Sequence, residues 1–226
     1  MPSCCGTAGV SAPFTIEQFM GVFVAYNAAI WPAQLAAYAF GLLGVAALWW
    51  KRPDASRLIH AILALMWLWN AIGYHYLFFA RINPAATLFA GLFALQAALF
   101  VACAAIPGRV TFVARRDLRT MTGLTLIAHA ILLYPILGLW AGHGWMAGPM
   151  FGVAPCPTVI FTLGLLLMAR GRWRVWLSII PIFWSLIGLA AALQLGMVED
   201  FGLPIAALLL CLAIGRDLVR KKPVNG

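Results

Sequence analysis

The chain has 226 residues, 64% hydrophobic and 9% charged, with a mean hydropathy of +0.96. A soluble domain carries about 25% charged residues, so this composition excludes a water-soluble fold and makes the bilayer the solvent. The formal charge of +9 does not read as a nucleic-acid footprint, because the basic residues flank apolar stretches and form no single face; anionic lipid headgroups are the expected partner.

Residues 1–13 read as a flexible leader without the basic segment and short apolar core of a cleavable signal peptide. Its Cys4–Cys5 pair resembles the vicinal cysteines of bacterial mercury-uptake membrane proteins, but it precedes any membrane helix and is read as incidental. In residues 14–31, Ile16, Phe19, Phe23, Tyr26 and Ile30 recur at helical spacing, while Glu17, Gln18 and Asn27 interrupt the apolar run. That pattern predicts an amphipathic helix lying on the outer face of a membrane.

A membrane span needs roughly 20 apolar residues. Seven are expected within 32–219, at about 33–50, 57–80, 84–106, 117–141, 156–170, 173–196 and 202–219, followed by a basic tail at 220–226. Fourteen of the 15 Lys and Arg residues fall at every second break between spans. These groups are Lys51, Arg52 and Arg57; Arg109, Arg115, Arg116 and Arg119; Arg170, Arg172 and Arg174; and Arg216, Arg220, Lys221 and Lys222. The intervening breaks hold only Arg81. Positive loops stay cytoplasmic, which sets the N-terminus outside and the C-terminus inside. The inward-running spans each carry a proline near their start (Pro32, Pro84, Pro157 and Pro204), where the missing N–H costs nothing. Trp49, Trp50, Trp140, Trp145, Trp173 and Trp176 sit at expected interfaces. The expected fold is an all-α polytopic bundle of seven transmembrane helices.

The fifth span is short, and the Gly/Pro-rich stretch before it is too polar in backbone to face lipid. A re-entrant loop over 143–156 follows, because irregular backbone at membrane depth is tolerated only within protein or along a wet cavity. Cys156 sits between two prolines at a helix start, where the macrodipole favours a thiolate. Its Cys-Pro step resembles the metal-binding motif of heavy-metal P-type pumps. His143, Met146, Met150 and Cys156 together form a soft donor set suited to a metal ion such as Cu(I); otherwise no cofactor is expected. Tyr74, His75, Asn83, His143, Cys156 and Thr158 belong to the outer level and are the candidate substrate-binding residues. Gln96 and His129 lie deeper, as a candidate polar pathway or as ties between helices. Thr122 and Thr125 share the His129 face, and Ser178 and Ser185 share a face of the sixth span. No Asp, Glu or Lys falls inside spans two to six apart from Asp117 at an end, and Glu199–Asp200 reads as part of an outer loop. A carboxylate relay is therefore not expected. A retinal Schiff base is excluded, since no lysine precedes Lys221 in the last span.

Three longer strings, FTIEQFMGVFVAYNAAIWPAQ, YHYLFFARINPAA and GHGWMAGPMFGVAPCPTVIFTLGLLL, resemble a bacterial family of multi-spanning membrane proteins of unknown function. The resemblance covers nearly the whole chain and implies a location in the bacterial cytoplasmic membrane. It carries no activity, cofactor or site with it. All three strings map to the expected outer face. The leading functional expectation is a small-solute or soft-metal-ion permease with an outward-facing site. A non-transporting sensor or accessory subunit is the alternative. An enzyme using Cys156 with His75 or His143 comes third, since no nucleophile–base–acid set is evident.

Overall fold

The computed structural model describes residues 13–220 apart from Lys51 and Pro53. Residues 1–12 of the expected leader, with Cys4–Cys5, and Lys51, Lys221 and Lys222 lie outside the described residues. Eight helices account for most of the chain: α1 Ile16–Ala29, α2 Ala33–Ala47, α3 Ala55–Trp69, α4 Ala86–Ala105, α5 Leu118–Trp140, α6 Pro155–Met168, α7 Arg174–Leu195 and α8 Gly202–Arg220. A π-helical turn, Asn70–Tyr76, extends α3, and a second one, His129–Leu133, interrupts α5.

Five segments are long and apolar enough to cross a membrane: Ala55–Arg81, Ala86–Ala105, Leu118–Trp140, Arg174–Leu195 and Val198–Arg220. Two of the seven expected spans are shorter. The α2 helix has 15 residues and α6 has 14, or roughly 22 and 21 Å at the helical rise. The reason for α6 lies in its surroundings. Every residue of it is buried except Cys156, which is partly exposed, because α3, α5, α7 and α8 surround it. A helix apolar on all sides belongs in a core, and a helix buried in protein need not match the lipid thickness. The α1 and α2 helices meet at 86° across the Trp31–Pro32 junction. If α2 follows the bundle axis, α1 lies across the end of the bundle. Thr15 and Gln18 form a capping box that starts α1. Of its expected apolar stripe, Phe19, Phe23 and Tyr26 are buried, whereas Ile16 is exposed.

The basic breaks gather at one pole. Thr111 and Phe112 pair antiparallel with Arg170 and Ala169. Ala114 N–H donates to the Leu48 carbonyl at 3.4 Å, and Phe112 N–H donates to Ser56 Oγ at 3.0 Å. Arg57 Nε donates to the Ala104 carbonyl at 3.1 Å. Arg119 and Arg174 both grip Asp217. Asp117 caps α5 outside the span by accepting from Thr120 N–H at 2.9 Å, and that bond holds its carboxyl below the ordinary carboxylate range. Arg109 stacks over Trp173, 4.2 Å from the ring centroid. Thus the described arginines of the four charge clusters, separate in sequence, lie at one end of the bundle. The opposite end consists of α1, the π turn of α3, the loop 141–154 and the turn before α8.

The paired face positions read from the sequence resolve differently. Ser178 and Ser185 each donate to a carbonyl four residues back in α7, and Thr122 and Thr125 do the same in α5. These hydroxyls satisfy themselves on their own helix and make no tie to a neighbour.

Candidate functional site

At the pole away from the arginines, the loop 141–154 turns inward. Met150 to Ala154 are all buried. Backbone there needs partners, and α1 and α3 supply them. Tyr26 Oη donates to the Val153 carbonyl at 2.7 Å. Asn27 Nδ2 donates to the Met146 and Gly148 carbonyls at 2.8 and 3.0 Å. Asn70 Nδ2 donates to the Gly152 carbonyl at 3.3 Å. Gly152 has φ +77, and a Cβ there would lie 2.7 Å from Ala37 Cβ, so only glycine fits. The expected re-entrant loop is therefore held by side chains more than a hundred residues upstream in α1.

Under this loop lies a buried polar centre. Val198–Phe201 forms a short 3₁₀ turn leading into α8, and both Glu199 and Asp200 in it are buried. Tyr134 Oη donates to Asp200 Oδ1 at 2.5 Å, a length in the charge-assisted range. Cys156, in the first turn of α6, lies near Asp200, Tyr134 and Trp184, and the Trp184 indole N–H is buried without a hydrogen-bond partner among the described residues. His143 Nδ1 lies 3.1 Å from Glu199 Oε1, while Glu199 Oε2 is buried without a hydrogen-bond partner. The His129 ring meets Tyr134 edge-on and abuts Gly202, and its Nε2 is buried and unpartnered.

Local sequence explains the placement of Tyr134. Pro135 has no N–H to return to the carbonyl of Ile131, and the helix widens into the π turn His129–Leu133 just before it. Such single-turn π segments recur at functional sites. The acidic pair precedes the N-terminus of α8, where the positive end of the helix dipole favours negative charge. A carboxylate flanked by a phenol and a thiol can exchange a proton along short contacts or present oxygen and sulfur to a cation.

A family model matches residues 16–222. The chain belongs to DUF6064, a family of unknown function. No curated protein and no solved structure matches it.

The other sequence candidates divide between this DUF6064 centre and its supports. Tyr74 is buried, stacked between Phe23 and Phe79 with centroids 5.0 and 5.4 Å away. His75 is fully buried in an aromatic box: the centroids of Phe93, Trp184 and Phe89 lie 4.6, 5.0 and 5.9 Å from its ring, and neither ring nitrogen has a partner. It lies among rings and not in an open cavity. Asn83 Oδ1 accepts from Ala85 N–H at 3.1 Å and shapes the entry to α4. Thr158 Oγ1 donates to the Ala154 carbonyl at 2.7 Å. Gln96 Nε2 donates to the Leu177 carbonyl at 3.1 Å, joining α4 to α7 as a tie between helices would.

Of the four metal candidates, His143 is paired with Glu199 and Cys156 faces Asp200. Met146 is exposed, and Met150 packs in the apolar cluster under α1. Among the described residues no three His, Cys, Asp or Glu side chains are grouped to hold a metal. The residues that sequence reasoning missed are Glu199, Asp200, Tyr134 and Trp184. The signal for the first two was their position at the start of an apolar span. Along the chain they fall in a break between apolar spans, which places them in an outer loop.

Proposed function

We propose that this chain is a small-solute or soft-metal-ion permease of the bacterial cytoplasmic membrane, in a closed state. Its seven membrane segments, with α2 and α6 as the short ones, run from an outer N-terminus to an inner C-terminus by the positive-inside rule. The observation that carries the reading is the buried Asp200–Tyr134 pair, with Cys156 and Glu199 beside it. Ionisable groups inside a membrane bundle are costly and mark ion or substrate pathways. Irregular backbone around the site also supports it, as in transporters built on broken helices. The narrow cleft between Tyr38, Tyr134, Trp145 and Glu199 holds about 10 Å³, on the order of one water, so access requires the loop 141–154 to move.

The test does not need a known substrate. In a chain whose only cysteine is Cys156, membrane-impermeant maleimides are applied to oriented vesicles from either side. Alternating access predicts labelling from both faces, in different fractions of molecules. Proteoliposomes then measure Cu(I) uptake and proton flux, with Asp200→Asn expected to abolish whichever is seen. A Cys156 that is reached from one face only, or from neither, removes transport and favours the sensor or accessory reading.

A further inference from the structure

The arginine pole contains a second feature that the permease reading does not use. A cleft of about 1220 Å³ opens between the N-terminal ends of α5 and α7, the strand Ala169–Arg170 and the C-terminal end of α8. Six arginines line it, Arg119, Arg170, Arg172, Arg174, Arg216 and Arg220, against two aspartates, Asp117 and Asp217. Asp217 is already shared. Arg119 engages both of its carboxylate oxygens, and Arg174 Nη1 lies 2.7 Å from Oδ2. Four arginines are therefore left without a carboxylate within the cleft.

The deepest cation is incompletely satisfied. The Arg174 side chain is only 7% exposed. Its Nε donates to the Leu166 carbonyl at 3.0 Å, but Nη2 is buried with no partner. Leaving a buried guanidinium donor unpaired is costly, and an acceptor supplied from the cleft would relieve it. The helix start beside it has no side-chain cap at Trp173, the Arg174 N–H being taken up by the Gly171 carbonyl at 3.4 Å, so the positive end of the α7 dipole lies at this end of the cleft. Among the arginines the lining is apolar, with Leu118, Val175, Trp176, Leu212 and Leu218 all exposed.

Guanidinium forks and helix N-termini match phosphate oxygens. The apolar lining beside them matches an acyl chain. From this arrangement we infer that the cleft is a phosphate-binding site for the headgroup of an anionic phospholipid. Basic pockets between membrane helices on the cytoplasmic side take such headgroups. The same oxygens in a free phosphate compound would engage the same arginines, and the experiment separates the two sources.

Purified protein is placed in nanodiscs of phosphatidylcholine containing a minor fraction of phosphatidylglycerol or cardiolipin, and the lipid retained after gentle delipidation is quantified by native mass spectrometry. Inorganic phosphate and pyrophosphate are tested alone by thermal shift in a neutral detergent. Retention of the anionic lipid over phosphatidylcholine is expected. R172Q/R216Q should weaken it roughly thirty-fold, taking a conventional contribution per basic residue near a membrane surface. R115Q/R116Q removes two exposed arginines of the same pole outside the cleft and should change retention little. Monodisperse elution and an unchanged thermal midpoint establish that each variant is folded. Saturable stabilisation by phosphate or pyrophosphate, without lipid retention, would keep the phosphate site and remove the lipid source. Equal loss in both double variants, or no preference for anionic lipid and no response to phosphate, overturns the inference.

Discussion

The bond between Tyr134 and Asp200 is the sharpest claim about the buried centre, and a double-mutant cycle tests it. Tyr134→Phe removes one hydroxyl from a fully buried position and leaves Asp200 with the thiol of Cys156 as its remaining side-chain neighbour. A hydrogen bond to a charged group contributes about 1.5–3 kcal/mol, and stripping a buried acceptor of its donor costs a similar amount. Tyr134→Phe should therefore destabilise by about 2–3 kcal/mol. Asp200→Asn keeps the shape and one acceptor oxygen but removes the charge. Relief of desolvation offsets much of the lost bond, so the single variant should cost under about 1 kcal/mol or stabilise slightly. If the bond is charge-assisted, the two changes are coupled by about 1.5–2 kcal/mol, because Tyr134→Phe does little harm once Asp200 is neutral. The measurement is reversible unfolding in mixed micelles of lipid-like detergent and sodium dodecyl sulfate, with helicity as the readout. A coupling below about 0.5 kcal/mol would mean that tyrosine and carboxylate do not act as a unit, and the account of the centre given above would be wrong.

Three further outcomes follow from the same geometry. Gly152→Ala combines a left-handed backbone penalty of about 1–2 kcal/mol with overpacking of about 1–3 kcal/mol against Ala37, whereas Gly142→Ala, with φ +85 and open space, carries only the first; equal thermal midpoints for the two variants would refute the close approach. Asn27→Ala removes two bonds to loop carbonyls, about 1–3 kcal/mol together, and should raise hydrogen exchange in residues 146–152 while leaving α7 and α8 protected. Asp117→Ala should cost about 1 kcal/mol at neutral pH. Since the folded pKa of Asp117 is depressed, its contribution is present above the unfolded value near 4 and fades as acid passes the folded value. The difference between wild type and Asp117→Ala should shrink at low pH, and a constant difference across that range would exclude the charged cap.

How much of this was legible in the sequence depends on the range of the interactions involved. The alternation of basic breaks is a pattern along the chain, and Arg57, Arg109, Arg119 and Arg174 do meet at one pole, because each lies within a few residues of an apolar segment end. The Gly/Pro-rich loop was equally readable as backbone in need of cover. Its cover was not, since Asn27 lies 119 residues from Met146 and no local signal links them. Tyr134 and Asp200 are 66 residues apart, and each looks ordinary alone: a tyrosine beside a proline, and an acid in a turn. What converts them into a centre is the packing of α6, whose all-round apolar sequence reads along the chain as a short fifth span. Read as a helix with no polar face, it belongs inside the bundle, and whatever touches its first turn is buried with it. Cys156 was visible because it sits in that turn; the carboxylate it faces became visible only when α8 was placed beside it. The arginines carry the converse lesson. Their pattern along the chain points to lipid headgroups as partner, yet Arg174, held by Asp217 and the Leu166 carbonyl, keeps a buried donor that no group among the described residues fills.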